Sequence, residues 1–148
     1  MKKLILRTGA FLVIALLIFT SCGKKGCIDK DAENFCDECK KDDGSCTYVG
    51  TVQFWYDKTT SEKLLNDNIT SLAVYVDGEL IGSYASSVYF DSSPSCSESS
   101  VVRKTKSLGK SKSLNGSYVV KDANDDETIW QGNFTYQANT CLNLKLTF

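Results

Sequence analysis

Seven cysteines in 148 residues constrain this chain more than any other feature. Five crowd together at 22, 27, 36, 39 and 46, and two stand far off at 96 and 141. An odd count leaves one thiol without a partner, so one cysteine needs another role. The residues ahead of the first supply it. Lys2, Lys3 and Arg7 make a basic start, and Ala10 to Phe19 is an unbroken apolar run. About ten apolar residues fit the hydrophobic region of a signal peptide and fall short of a membrane span. Thr20 and Ser21 then set small side chains before Cys22, which lets an extended backbone enter a peptidase cleft with the thiol ready for a lipid. With Cys22 assigned to lipid, six cysteines remain: Cys27, Cys36, Cys39, Cys46, Cys96 and Cys141. An even set in an oxidising compartment reads as three disulfides.

Ile18-Phe19-Thr20-Ser21-Cys22 resembles the lipobox of Gram-negative lipoproteins in the relaxed form found in Bacteroidetes, with Phe19 in the leucine slot. The resemblance implies cleavage after residue 21, acylation of Cys22 (palmitate included) and membrane attachment. Gly23 rather than Asp follows Cys22, so the expected destination is the outer membrane, on its periplasmic or cell-surface face. The full chain carries a net charge of −1. Without the three leader cations it is near −4, a solubilising charge with no general attraction to nucleic acid.

Composition divides the chain into a signal peptide over 1–21, a lipidated and disulfide-rich spacer over 22–48, and a third zone over 49–148. In that zone apolar and polar residues alternate over short runs, as in half-buried strands. Strands are expected over 51–56, 72–76, 80–84, 117–120, 128–136 and 142–148, with Asp77-Gly78 as a hairpin turn. In the last, Leu142, Leu144, Leu146 and Phe148 share one face. Ser61 to Asn66 has room for one helical turn. The fold expected is all-β: a small antiparallel β-sandwich preceded by a short disulfide-rich segment.

Gly26 to Tyr48 resembles a cysteine repeat of secreted and surface proteins of Bacteroidetes, through Gly26, Cys27, Asp29, Ala32, Asn34 and Phe35, then Asp42-Asp43-Gly44-Ser45-Cys46 and Tyr48. The resemblance implies a Cys27–Cys46 disulfide and an extracytoplasmic spacer or adhesive role. Cys36 and Cys39 are insertions relative to that repeat, and leave either a short Cys36–Cys39 bridge or an exchanged pairing. With these four grouped, Cys96 and Cys141 are left for each other. Zinc needs two close chelating pairs, which the spacing lacks. Redox catalysis by Cys36-Asp-Glu-Cys39 is opposed by its two acids, which raise a thiol pKa. Asp29, Asp31, Asp42 and Asp43 crowd hard oxygen ligands into one segment, which reads as a solvated acidic loop with no cofactor, calcium being the alternative. The EF-hand pattern fails, because Lys40 stands where the bidentate acid belongs.

Histidine is absent from the sequence, which removes His-dependent triads and His-ligated zinc. Residues 72–84 resemble the Val-Tyr-Val-Asp-Gly hairpin of PEGA-type surface domains through Val74 to Asp77, Gly78 and Gly82. That likeness implies an envelope or carbohydrate-associated module. Arg103, Lys104, Lys106, Lys110 and Lys112 put five cations in ten residues. They read as an anionic-ligand patch or as lysines guarding a strand edge. Trp55, Tyr56, Trp130 and Tyr136 read as core or as a sugar-stacking platform. The expected function is non-catalytic: a cell-envelope lipoprotein, membrane-bound through its lipid, that contacts protein or glycan. The alternatives are a calcium-dependent adhesion module and a small envelope hydrolase.

Overall fold

The computed structural model describes residues 23–148, so the expected signal peptide and Cys22 lie outside the described residues. The elements are β1 (Tyr48–Trp55), α1 (Lys58–Asn66), β2 (Ser71–Val76), β3 (Glu79–Ala85), β4 (Arg103–Gly109), β5 (Ser113–Asp122), β6 (Thr128–Gln137) and β7 (Cys141–Lys145). They form two layers, a four-stranded sheet in the order β3-β2-β5-β6 and a three-stranded sheet in the order β4-β1-β7. The fold is an all-β sandwich behind a disulfide-rich segment, as the alternation predicts.

One pairing departs from the antiparallel expectation. β1 and β7 run parallel, with Thr51 opposite Cys141 and Phe54 opposite Leu144. The chain leaves β6 through Ala138 to Thr140 and crosses to the other layer beside the start of β1. There Asn139 N–H donates to Val49 O at 2.8 Å and Thr51 N–H to Thr140 O at 2.9 Å. Entering at that end, β7 can only run alongside β1 in the same direction.

The core follows from period-two alternation. Val52 and Phe54 of β1 face Leu72, Val74 and Val76 of β2, Val120 of β5 and Tyr136 of β6, all at most 2 % exposed. Rings fill the centre: Phe54 lies 5.4 Å from Tyr118, and Phe134 meets Tyr136 edge-on at 4.8 Å. Glycine makes that possible. A Cβ at Gly116 would stand 2.7 Å from the Phe134 ring, and one at Gly132 would stand 2.9 Å from the Tyr118 ring. The β2–β3 hairpin turns on Asp77 and Gly78 at φ 51° and 81°, the left-handed region that an Asp-Gly pair tolerates.

α1 is longer than the single turn expected over 61–66. Asp57 caps it, accepting Thr60 N–H at 3.0 Å, and so starts the helix three residues earlier. Lys145 of β7 reaches the other Asp57 oxygen at 2.7 Å. That ion pair, with the cap, lowers the Asp57 pKa to about 2.

Residues 86–102 carry no regular structure and cross from β3 in one layer to β4 in the other, over the outer face of β1. Their backbone needs partners there. Gln53, outward-facing on β1 yet fully buried, donates through Nε2 to Pro94 O at 3.0 Å and to the Asn143 side chain. The Cys96–Cys141 disulfide ties the same loop to β7.

The cysteine-rich segment folds onto the sandwich. Cys27–Cys46 and Cys36–Cys39 are both formed, so the short bridge stands and the exchanged pairing does not. Cys27 and Ala32 join the same apolar cluster as Val52 and Phe54, which makes the core continuous with the spacer. Asn34 acts as a surrogate strand: its amide donates to Ser45 O at 2.7 Å and accepts Thr47 N–H at 2.9 Å. Gly26 lets the backbone pass the inner bridge, since a Cβ would meet Cys39 Sγ at 2.6 Å. Gly26, Cys27, Ala32, Asn34 and Cys46 thus have structural roles.

Candidate functional site

The five-cation run does not assemble into one anion site. β4 is the edge of its sheet, and its alternation sends Lys104 and Lys106 to the same side as buried Leu108. From there they cross between layers to the β2–β3 hairpin, Lys104 to Glu79 at 2.8 Å and Lys106 to Asp77. Arg103 points the other way and donates to Cys96 O and Glu98 O, holding the 86–102 loop. Lys112 turns to the spacer, 2.6 Å from Asp29 and 3.2 Å from Asp31. Lys110 forms no ion pair among the described residues. Inward charges on an edge strand block pairing with another chain, which is the strand-guarding reading.

The four calcium candidates are divided in the same way. Asp29 and Asp31 share the Lys112 ammonium, while Asp42 and Asp43 accept the backbone N–H groups of Gly44 and Ser45 in local turns. Among the described residues no three His, Cys, Asp or Glu side chains converge as a metal site would need.

Asp29 has the most perturbed setting in the spacer. Hydrogen bonds from Lys112 first, then from Asp31 N–H and from Tyr48 Oη, hold its pKa down to about 2 against an ordinary 3.8. A carboxylate depressed on folding stabilises the fold above its unfolded value and loses that contribution as pH falls through the folded one. Spacer docking should therefore weaken between pH 3.8 and about 2. Lys112→Met should move the Asp29 titration up toward the ordinary value. A carboxyl-carbon NMR titration with an unchanged midpoint would show that the ion pair does not hold the spacer.

Three of the four aromatics considered for a sugar platform belong to the interior instead. Tyr136 is fully buried, Tyr56 is 1 % exposed and Trp55 9 %. Burial pushes the Tyr136 hydroxyl up to about 12 and raises that of Tyr56 still further. Trp130 is half-buried, stacked 6.4 Å from Tyr56, with its Nε1–H on Thr147 O at 3.0 Å.

A different surface emerges on the outer face of β5 and β6. Register sets Ser113 opposite Gln137, Asn115 opposite Thr135, Ser117 opposite Asn133 and Val119 opposite Gln131. The alternate residues Gly116, Val120, Phe134 and Tyr136 face the core, so this set faces outward. All but Val119 are exposed, and none is charged. Thr135 Oγ1 donates to Asn115 Oδ1 at 3.0 Å, which fixes one amide. Shallow depressions run between these side chains, one lined by Ser117, Gln131 and Asn133 and another by Asn115, Asn133 and Thr135. The sequence held the signal, uncharged hydroxyl and amide residues at alternate positions of two adjoining strands, broken only at Val119. The reading of aromatics and cations passed over it.

No protein-family model, curated protein or solved structure matches the chain.

Proposed function

We propose that this protein is a non-catalytic cell-envelope lipoprotein, anchored through Cys22, whose sandwich presents the amide and hydroxyl face of β5–β6 to a neutral glycan. The observation that carries this reading is the cross-strand ladder Asn115–Thr135 and Ser117–Asn133 beside Gln131, exposed and uncharged over two strands. Amides offer two donors and two acceptor lone pairs at fixed spacing, and hydroxyls offer both polarities, which suits the vicinal diols of a sugar chain. A flat ribbon presents several such groups at strand spacing, so affinity would build from many weak contacts along a polymer. The spacer supports the anchoring half of the proposal. Two disulfides and a core shared with the sandwich make Gly26 to Tyr48 a short rigid mount rather than a loose tether.

Titration of the full chain with a panel of neutral and acidic polysaccharides tests the binding half. Binding to a neutral polymer, lost in Asn115→Ala/Asn133→Ala with an unchanged melting temperature, is the expected result. Equal binding by the double variant would end the assignment of this face. For the anchor, Cys22→Ser should shift the protein from the membrane pellet to the soluble fraction after fractionation of expressing cells. Retention in the pellet with an unlipidated intact mass would refute attachment through Cys22.

A further inference from the structure

The geometry points to a second membrane contact, a lysine collar around the lipidation point that rests on anionic phospholipid headgroups. This rests on the proposed anchoring at Cys22 and adds what the folded part does there. Lys24-Lys25 and Lys40-Lys41 are far apart in sequence, yet one parallel bridge joins Lys25 to Lys41. Lys40 N–H donates to Lys24 O at 3.0 Å, and Gly26 N–H donates to Lys41 O at 3.1 Å. The Cys36–Cys39 disulfide lies against Gly26 and fixes the return of the second segment. Lys40 Cβ lies 3.1 Å from where a Cβ on Gly23 would be, so its stem packs beside the residue that follows Cys22. All four lysines are exposed.

Several acids of the spacer are engaged elsewhere. Asp29 and Asp31 face Lys112 of the sandwich rim, and Asp43 accepts Ser45 N–H at 2.9 Å. Asp42 accepts Gly44 N–H at 3.0 Å. Glu38 pairs with Lys24 at 2.9 Å, and Asp37 is its neighbour in sequence. Among the described residues no acid comes within ion-pair distance of Lys25, Lys40 or Lys41. Lys25, Lys40 and Lys41 therefore carry charge that no ion pair among the described residues offsets. A lysine near an anionic surface is worth roughly fivefold in partition, falling off within a Debye length. Acyl chains at Cys22 would hold these lysines within that range.

The test uses full-length protein with vesicles of phosphatidylcholine alone or with about 30 mol% phosphatidylglycerol, at low salt. Acetylation rates of single lysines are read by mass spectrometry. Lys25, Lys40 and Lys41 should be modified about threefold or more slowly on the anionic vesicles, with relief at high salt. Lys63, in the helix beyond the far end of β1, should react equally on both. Lys25→Gln/Lys40→Gln/Lys41→Gln should lose any preference for anionic over neutral vesicles while keeping its near-ultraviolet circular dichroism. Equal rates on both vesicles, or an anionic preference kept by the variant, would overturn the collar. Intact mass reports Cys22 lipidation separately. Lipid present without lysine protection removes the collar and leaves the anchor, and protection without lipid does the reverse.

Discussion

Replacing Cys96 and Cys141 by alanine should cost about 4 kcal/mol of stability, the largest loss expected from removing any one of the three bridges. The two residues are 45 apart in sequence, against 19 for Cys27–Cys46 and three for Cys36–Cys39. On the loop-entropy argument the Cys36–Cys39 bridge contributes about 2 kcal/mol, roughly half as much. The longer bridge also acts where the fold has least regular structure. It holds residues 86–102 over the outer face of β1, beside the Gln53 bonds to Pro94 and Ser95. With the bridge gone, those bonds and the Arg103 contacts must hold the loop unaided. The melting temperature should fall by roughly 10–20 °C for a chain of this size. A scanning calorimetry shift under about 3 °C, or a larger one for the Cys36–Cys39 pair, would show that chain entropy is not what this bridge acts on.

Phe54→Ala should destabilise by about 3–5 kcal/mol. Phe54 is 1 % exposed and lies between layers, 5.4 Å from the Tyr118 ring and 6.4 Å from that of Phe134. Those rings are seated against Gly132 and Gly116, so they cannot shift into the space left without losing their own contacts. Trp55, next on the strand, faces outward under the crossing loop and carries a buried Nε1–H with no hydrogen-bond partner. Trp55→Phe should therefore cost under about 1 kcal/mol, because part of the lost contact is offset by removing an unsatisfied donor. Urea unfolding of the two variants would compare them directly. A Trp55→Phe loss matching that of Phe54→Ala would mean the outer layer packs as tightly as the core.

The strands most legible in the sequence are those whose alternation is local. Leu142, Leu144 and Leu146 face inward as their spacing requires, though β7 ends at Lys145 and Phe148 beyond it is exposed, and Asp77-Gly78 turns where its backbone preference puts it. The cysteine count carried the number of disulfides but not their connectivity; Cys27–Cys46 came from the resemblance of Gly26 to Tyr48 to a cysteine repeat, and the pairing of Cys36 and Cys39 stayed open. β4 was harder to see. It contributes one buried apolar residue, Leu108, so its lysines read as a charge cluster instead of a strand. α1 buries only Leu64 among apolar residues, and its capping Asp57 sits outside any amphipathic pattern. The burial of Gln53 was not legible, because it depends on a loop some forty residues onward that covers its face. The interior placement of Tyr136 had a signal in Gly116, a glycine within a strand that marks where rings from the neighbouring strand must fit.

The parallel pairing of β1 with β7 decides when this molecule can exist. β1 is the middle strand of its layer, and one of its two neighbours is drawn from the other end of the sandwich sequence. The hairpins β2–β3 and β5–β6 need only short closures and can form early. The three-stranded layer cannot be completed until Cys141 and the residues after it have arrived. Contacts so distant in sequence place folding at the slow end for small domains, in milliseconds to seconds. A chain still being synthesised or threaded through a translocon would hold β1 as an open edge throughout.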